Sequence, residues 1–335
     1  MTANALPREL VASLVEDAIT APSMHNAQPW TFVLRTGTGT LELHGDPSRE
    51  MPLADPDRRA LHIGCGAALF GLRVALAHHD LPAAIELLPD PGDPWHLADV
   101  RPNATAPGNG TGLDERLAAL RPALRDRHTS RFPFGEERVP AGIMDRLRTV
   151  AAREACQLVI PGPWFVNAFM DLVHDSEVYE AADAHVRAEV DAWIRSGGAG
   201  EDVGNEGIPA YAFGPRQHGA TAPVRDFESR RRRAPGRGSA HFEEEPQIAL
   251  LGTAGDTPRE WLAAGQALHR VLLRATLDGL ATSLMSQPLE WPELRTLARD
   301  PESGTGFVQM VLRLGYGPRG RATPRRPVSE VLTFA

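Results

Sequence analysis

The chain has 335 residues, with 43 acidic and 35 basic side chains and a formal net charge of −8. The sequence contains no lysine, so every basic residue is an arginine. This composition excludes enzymes that need a Schiff-base lysine, a pyridoxal-phosphate lysine or a P-loop lysine. The acidic balance argues against a general nucleic-acid or anionic-membrane binder, which would need a basic surface.

Length and apolar content predict a folded protein of about two domains. Cys65 and Cys156 show neither metal-ligand nor disulfide spacing, which fits a reducing compartment. No signal-peptide pattern is visible before Asp17, and Arg73 interrupts the longest apolar stretch, residues 63–77, which is predicted to be too short to span a bilayer. We therefore expect a cytoplasmic protein that does not enter a membrane.

The first part of the chain alternates helix and strand patterns. Apolar spacing and the position of Pro22 predict a helix that begins near Pro7 and ends before Pro22. Period-two patterns and turn residues predict two strand pairs around a buried helix rich in small residues, with strands at 30–35, 41–44, 84–88 and 95–100 and the helix at 58–79. A polar linker rich in glycine and proline follows at residues 102–112.

After the linker a similar order of elements begins again. Helices are predicted at 114–125, 141–153, 163–194 and 258–279, and strands at 157–160, 247–253 and 306–314. Residues 196–246 form an aperiodic insert, typical of a lid or a disordered segment. The small-residue helices at 58–79 and 258–279 indicate one topology used twice, so we predict an α+β protein with units at residues 1–112 and 113–335.

The segment Ala21–Trp30, APSMHNAQPW, lies where a helix passes into a strand. Ser23, Asn26 and Gln28 supply neutral donors and acceptors there, which suit a planar heteroaromatic ring. Taken alone, a Ser-x-x-Asn pattern is more often an ordinary turn cap.

Three further segments offer binding groups, each with a structural alternative. RHTSR at 127–131 could hold a phosphate through charge-assisted hydrogen bonds, or could be the cationic end of a helix. The glycine in the segment 278–290 could allow close approach of a ligand, or could cap the preceding helix. Arg325 and Arg326 would by default form a solvated surface pair.

Together, APSxxNxQPW, RHTSR, GQALHRVLLRATLDGLATS and the tail PRRPVSEVL resemble the FMN-dependent nitroreductase family. Their order and spacing are most similar to its tandem, single-chain, Acg-like branch, from Leu10 to Leu332. The resemblance implies two nitroreductase-like α/β units packed as an intramolecular pseudo-dimer, and therefore a monomeric chain. Only the first unit has the PSxxN loop and only the second has the arginine-rich start, so it implies a single FMN site between the halves.

Carried over residue by residue, the resemblance implies eleven positions of cofactor contact. Beside the isoalloxazine it implies Pro22, Ser23 and Asn26, and near flavin N5 it implies Ser286 and Gln287. At the ribityl phosphate it implies Arg127, His128, Thr129 and Arg131, together with Arg325 or Arg326. No catalytic side chain is required, because FMN carries the chemistry.

Other conspicuous side chains have structural interpretations. Trp30 is expected in the core, and His269 is expected to be a hydrogen-bonded structural residue of a packed helix. No metal is expected, because the scattered histidines show no ligand spacing. These histidines are His62, His78, His79, His218, His241 and His269.

The resemblance implies an oxidoreductase that takes hydride from NAD(P)H and passes it through FMN to an electron-poor small molecule, such as a nitroaromatic compound, a quinone or a specialised metabolite. The insert at 196–246 suggests an alternative, because a lid over the flavin would suit a sequestering or storage protein with little NAD(P)H-dependent activity. A nucleic-acid- or protein-binding module built on Arg230–Arg233 ranks lowest, since blocks of like charge usually stay disordered.

Overall fold

The computed structural model describes residues 6–102, 115–196, 204–218, 224–227, 236–299 and 304–335. The linker at 103–112 and the Arg230–Arg233 run lie outside the described residues. The first part of the chain follows the predicted order of elements, with small shifts at their ends. In chain order these are α1 (Arg8–Ala18), β1 (Trp30–Arg35), β2 (Thr40–Gly45), α2 (Arg59–His78), β3 (Ala83–Leu87) and β4 (His96–Pro102).

The second part begins with short helices and continues through the insert to a second helix and strand set. Up to the insert the elements are α3 (Glu115–Ala118), α4 (Arg121–Asp126), α5 (Ala141–Ala152), β5 (Gln157–Val159), α6 (Pro163–Ala182), α7 (Ala184–Ala192) and β6 (Ile194–Arg195). The remainder are β7 (Ile208–Pro209), β8 (Arg216–Gln217), β9 (Ser239–Ala240), β10 (Gln247–Thr253), α8 (Pro258–Leu277), β11 (Ala281–Met285), α9 (Pro292–Leu297), β12 (Phe307–Gly315), α10 (Val328–Val331) and β13 (Leu332–Phe334).

The first sheet has the strand order β13-β1-β2-β4-β3. Its strands are antiparallel neighbours except for β13, which lies parallel to β1 and comes from the end of the chain. One face of this sheet packs on α1 and α2, and Trp30 is fully buried there, as the sequence predicted. The last strand of the chain is therefore part of a sheet built from its first hundred residues.

The second sheet has the order β11-β12-β10-β5 and is antiparallel throughout. Helices α5 and α8 cover one face, and Phe165, Phe169 and Val173 of α6 cover the other. Both faces of β10 are thus buried, since Ala249 and Leu251 belong to one apolar cluster and Leu250 to the opposite one. This explains why β10 reads as a continuous apolar run instead of an alternating one.

Helices α2 and α8 join the two layered units through glycine. A Cβ atom on Gly265 would lie 2.0 Å from the carbonyl oxygen of Ile63, and one on Gly66 would lie 2.3 Å from the carbonyl oxygen of Leu262. Only the absence of a side chain allows the two backbones to come this close. The two glycines therefore hold α2 and α8 in direct backbone contact where they cross.

By length and apolar composition, α2 could cross a membrane, which corrects the expectation that this segment is too short. However, 89% of its most apolar 18-residue window is buried inside the protein. Its apolar surface is used in the contacts with α1, α8 and the first sheet.

Two long helices predicted from the sequence are broken in the structure. The segment 114–125 forms α3 and α4, with Pro122 in the first turn of the second helix, and Asp114 lies outside the described residues. The segment 163–194 divides at Asp183, whose carboxylate accepts hydrogen bonds from the backbone N–H groups of His185 and Val186. Such an N-cap begins a new helix at Asp183. The segment therefore forms two helices, although its apolar periodicity predicted a single continuous one.

The sequence also missed structure in three places. Ala281–Met285, for which no strand was predicted, is a strand that pairs with β12, and the tail ends in β13. The insert is not uniformly irregular either. Its strand β7 pairs with β6, which lies just before the insert, its strands β8 and β9 pair with each other, and Ile208, Phe213 and Phe227 pack on α7 in an apolar cluster.

Candidate functional site

A cavity of about 1330 Å³, including the part open to solvent, lies where the two halves of the chain meet. The first half contributes the loop after α1 and the start of α2, and the second contributes segments near 127–131, 283–295 and 321–325. Of the residues predicted to bind a cofactor, all but Arg326 line it, namely Pro22, Ser23, Asn26, Arg127, His128, Thr129, Arg131, Ser286, Gln287 and Arg325. Its lining combines charged, polar and apolar side chains from both parts of the chain, which is typical of ligand-binding clefts.

The loop after α1 has a strained but well-anchored backbone. His25, Asn26 and Gln28 have φ values of 48°, 55° and 54°, in the left-handed region. Each such residue costs of order 1–2 kcal/mol unless glycine occupies it. The Ser23 hydroxyl accepts a hydrogen bond of 2.9 Å from the Gln28 backbone N–H, which closes the loop.

Asn26 joins three separate parts of the chain. Its Nδ2 donates to the carbonyl oxygens of Gly207, at 2.9 Å, and Pro324, at 3.1 Å. Its Oδ1 accepts a hydrogen bond of 2.9 Å from Arg325 Nη1. The side chain therefore fixes the insert and the tail against the loop, and its predicted contact with the isoalloxazine stays a prediction.

The cavity wall carries three cations without counter-charges of their own. Burial, reinforced by the nearby Arg325 guanidinium, lowers the pKa of Arg127 to about 9. Burial likewise lowers the pKa of Arg325 to about 10, and burial with the charge of Arg225 lowers that of Arg131 to about 10. Within the residues that the structure describes, none of these three arginines pairs with a carboxylate, and Arg127 Nε has no hydrogen-bond partner. The site is therefore suited to an anion.

The histidines near these cations are neutral. Burial, together with the charges of Arg127 and Arg325, lowers the pKa of His128 to about 4 and that of His269 to about 3. His269 Nδ1 donates to the carbonyl oxygen of Ala67 at 2.7 Å, which confirms the prediction of a hydrogen-bonded structural residue. The positive charge of the site thus comes from arginine alone.

Relatives of known sequence cover nearly the whole chain. A Mycobacterium tuberculosis protein provisionally named NAD(P)H nitroreductase is 32% identical over 97% of this chain and 92% of its own length. The chain belongs to the nitroreductase family. A second protein of the same organism, provisionally named NAD(P)H nitroreductase acg, is 29% identical over 96% of this chain and 95% of its own, which makes the chain Acg-like. No family model matches the chain.

Solved structures of the family resemble the chain more distantly. The crystal structure of a nitroreductase with bound FMN from Bacteroides fragilis covers 62% of this chain and 92% of its own, at 15% identity and a TM-score of 0.35. The structure of this nitroreductase-family chain is a mixed α+β fold.

The rest of the cavity wall in this nitroreductase-family chain is mixed in character. Gly64, Leu268 and Met310 line it beside Ser286 and Gln287. The Ser286 hydroxyl donates to Glu290 Oε1 at 2.8 Å. Gln287 is buried, and its Nε2 has no hydrogen-bond partner among the described residues. An unpartnered buried amide next to an apolar wall is a donor available to a ligand.

The insert supplies cavity residues that the sequence did not indicate. Arg225 forms ion pairs with Glu290 at 2.7 Å and with Glu180 at 2.8 Å. The Phe227 ring lies 5.1 Å from the Arg131 guanidinium and meets His25 edge-on. No periodic or motif signal marks these residues, because they come from an aperiodic segment and acquire partners only in the folded chain.

Arg325 and Arg326 were alternatives for the phosphate contact, and the structure places them differently. The Arg326 backbone N–H donates to Gln28 Oε1 at 2.8 Å, and its Nη1 lies 3.3 Å from both the Gln28 carbonyl oxygen and Asp46 Oδ2. Arg325 therefore faces the cavity, whereas Arg326 points away from it and holds the loop from behind. Neighbouring residues of an extended segment point to opposite sides, which accounts for the division.

Proposed function

We propose that the chain binds one FMN in this cavity and transfers hydride from NAD(P)H through it to an electron-poor small molecule. The observation that carries the proposal is the convergence of Arg127 and Arg325 on the Thr20 carbonyl oxygen, without a carboxylate partner for either among the described residues, in a cavity that Arg131 also lines. A ribityl phosphate would supply the missing negative charge through charge-assisted hydrogen bonds. Membership of the nitroreductase family supports the same assignment.

Unpartnered donors of the cavity wall fit this cofactor. Arg127 Nε and Gln287 Nε2 are buried donors without partners among the described residues, and both residues line the cavity. A ligand that accepts from both would remove a desolvation cost of about 1–3 kcal/mol for each group. We assign Arg127, Arg131, Arg325, His128 and Thr129 to the phosphate.

The remaining residues would orient the ring system. We assign Pro22, Ser23 and Asn26 to one side of the isoalloxazine, and Ser286 and Gln287 to the neighbourhood of N5. Bound FMN supplies the two-electron hydride chemistry, so that no side chain need act as acid or base. The protein contributes binding, orientation and the exclusion of water, and the neutral His128 and His269 leave the local charge to arginine.

We further propose that residues 1–112 and 113–335 are two nitroreductase-like units that form a pseudo-dimer, so that a soluble monomer is complete. Each unit packs two helices on a sheet, and α2 and α8 occupy corresponding places. The mutual contact through Gly66 and Gly265 and the return of β13 to the first sheet support this arrangement. The cavity then needs residues from both units.

One observation favours the alternative of a flavin-sequestering protein. The insert is attached to the cavity wall by Asn26 Nδ2 to the Gly207 carbonyl, by Gln28 Nε2 to the Asn205 carbonyl at 2.7 Å, and by Arg225 to Glu290. A segment held at so many points would restrict the approach of a nicotinamide. The described part of the insert supplies Ile208, Val224 and Phe227 to the cavity. A reductase and a sequestering protein would differ in whether this segment lets a nicotinamide reach the flavin.

Anaerobic absorbance spectroscopy of the full chain tests both the reductase function and the sequestering function. Purified protein supplied with FMN and passed through a desalting column should retain about one flavin per chain, visible in its absorbance. Addition of NADH or NADPH should then bleach that absorbance. Failure to retain FMN would overturn the cofactor assignment, whereas retention without bleaching by either nicotinamide would favour sequestration over reduction.

A further inference from the structure

A second cluster of chemically active side chains lies on the first sheet, among residues that do not line the cavity. Glu42 and His44 of β2 and His96 of β4 each offer one donor atom, and these atoms all lie within 4.8 Å of one another. Their side chains are only 11%, 19% and 14% exposed. Three potential metal ligands are thus gathered at a position that is largely shielded from solvent.

The sheet geometry brings them together. Leu41 and Leu43 of β2 point into the core, so Glu42 and His44 point to the opposite face. His44 is paired directly with His96, and a β-bulge interrupts the register between Leu43 and His44. With strict alternation His96 would share the face of Ala98 and Val100, which are in the core. The bulge turns His96 outward to meet His44, a use of bulges that is common near functional sites.

The distances suit a small cation. Glu42 Oε2 and His44 Nε2 are 2.9 Å apart, and the imidazoles of His44 and His96 are stacked, with centroids 4.5 Å apart and an interplanar angle of 17°. Donors bound at about 2.0–2.1 Å to a tetrahedral zinc ion are roughly 3.3 Å from each other. The donors lie within 4.8 Å of one another, and binding would require the two rings to turn out of their stack so that their lone pairs meet at one ion.

A second carboxylate supports the cluster. Asp99 Oδ1 lies 2.7 Å from His96 Nε2, which leaves the other ring nitrogen of His96 for a ligand. Metal-binding histidines usually donate their second ring nitrogen to a carboxylate in this way. Arg35 pairs with Glu42, and Arg101 pairs with Asp99, so both carboxylates are held in place. These two arginines already balance part of the negative charge that a bound cation would meet.

We propose that Glu42, His44 and His96 form a binding site for a divalent transition-metal ion, with zinc the best fit, in which Asp99 orients His96. Two imidazoles and a carboxylate are a common zinc ligand set, and the fourth position is open to water. The ion would join β2 to β4 across the bulge, and would stabilise the first sheet because it binds the folded chain alone. The site is separate from the flavin cavity, so its presence does not depend on the proposed function.

Titration of the full chain, free of any affinity tag and stripped with a chelator, tests the site with ZnCl2 alone as the probe. Calorimetry should show one tight equivalent, and the melting temperature should rise with added zinc. His44→Ala and His96→Ala should each weaken that equivalent by at least about 100-fold, more than loss of an outer partner does. Asp99→Asn should weaken it by about 10–100-fold, as expected for a positioning residue.

His78→Ala is the matched control, because His78 and His79 form an exposed histidine pair on the same unit without a carboxylate between them. Its zinc affinity should equal that of the unaltered chain, and far-UV circular dichroism and FMN retention should report folding for every variant. If an alanine variant does not fold, Glu42→Gln, which preserves size, carries the same test. Absence of a tight equivalent, or its survival in His44→Ala and His96→Ala, would overturn the proposal, as would an equal loss in His78→Ala.

Discussion

Arg127 and Arg325 donate hydrogen bonds to the same acceptor, the carbonyl oxygen of Thr20, at 3.1 and 3.2 Å. Two guanidinium groups almost 200 residues apart in sequence therefore converge on one carbonyl, and each has a lowered pKa. Like charges in a buried place repel, and a carbonyl dipole compensates them only in part. The arrangement is that of a site prepared for an anion, and it makes the strength of anion binding directly testable.

Arg127→Ala should weaken FMN binding by about 10- to 100-fold, since a hydrogen bond to a charged group contributes about 1.5–3 kcal/mol. Riboflavin, which lacks the phosphate, should bind the variant and the unaltered chain with similar affinity. Quenching of flavin fluorescence measures both. Arg319→Ala, at a tail arginine that is 67% exposed, is the control and should bind FMN normally. Undiminished FMN affinity in Arg127→Ala would remove the phosphate assignment.

Arg225→Ala should release the insert from the cavity wall. The Arg225 side chain is only 10% exposed and pairs with Glu290 and Glu180, so its removal leaves two carboxylates without their partner. The dissociation rate of FMN should rise at least about tenfold, because dissociation would no longer wait for those ion pairs to break. Stopped-flow dilution against an apoflavoprotein acceptor measures this rate.

Arg138→Ala provides the comparison for that rate. Arg138 pairs with Glu245, and both side chains are 75% exposed, so the pair should contribute little. An equal FMN dissociation rate in Arg225→Ala and the unaltered chain would show that the insert does not control access.

His269→Gln should make the FMN-free protein less sensitive to acid. Burial, with the charge of Arg127, lowers the pKa of His269 to about 3, below the ordinary value of 6.5. The folded chain therefore holds this ring neutral, and its contribution to stability is fully present above about pH 6.5 and is lost as pH falls toward 3. Each pH unit in that window should cost about 1.4 kcal/mol in the free energy of unfolding.

Urea denaturation at about pH 7, 6 and 5 measures this slope. Glutamine can still donate to the Ala67 carbonyl but does not titrate, so the variant should have a shallower slope. His128, whose pKa is lowered to about 4, keeps the slope above zero. Parallel pH profiles for the variant and the unaltered chain would contradict the prediction.

Gly265→Ala should destabilise the junction of α2 and α8. The new methyl group would lie 2.0 Å from the Ile63 carbonyl oxygen, a backbone atom that cannot move without shifting the helix. Overpacking of this kind costs about 1–3 kcal/mol or more, which exceeds the roughly 1 kcal/mol that alanine gains as a helix former. Thermal or urea unfolding measures the loss.

Gly142→Ala is the matched substitution for that comparison, since Gly142 also lies within a helix, α5, and a Cβ atom there would meet nothing closer than the end of the Arg146 side chain, at 3.9 Å. Its free energy of unfolding should be unchanged or slightly higher. If both variants unfold alike, the close crossing of α2 and α8 is not a tight constraint.

Several predictions from sequence depended on local signals, and these are largely confirmed. The apolar periodicity and small residues of α2 and α8, the strand pair around Gly37 and Gly39, and the apolar run of β10 are determined by residues close together in the chain. The segments around Ser23, Arg127 and Ser286 were recognised from their residue types and their order along the sequence. All three segments line the cavity.

Other features were decided by tertiary structure. Both Arg325 and Arg326 are tail arginines, and only the contacts of Arg326 with Gln28 and Asp46 turn it away from the cavity. Strand β13 has no signal of its own and forms because β1 offers it an edge. His44 and His96 carry no ligand spacing, yet a bulge between paired strands brings them together. Local periodicity depends on neighbours in sequence, whereas these features depend on partners 50 to 300 residues away that only the folded backbone brings into contact.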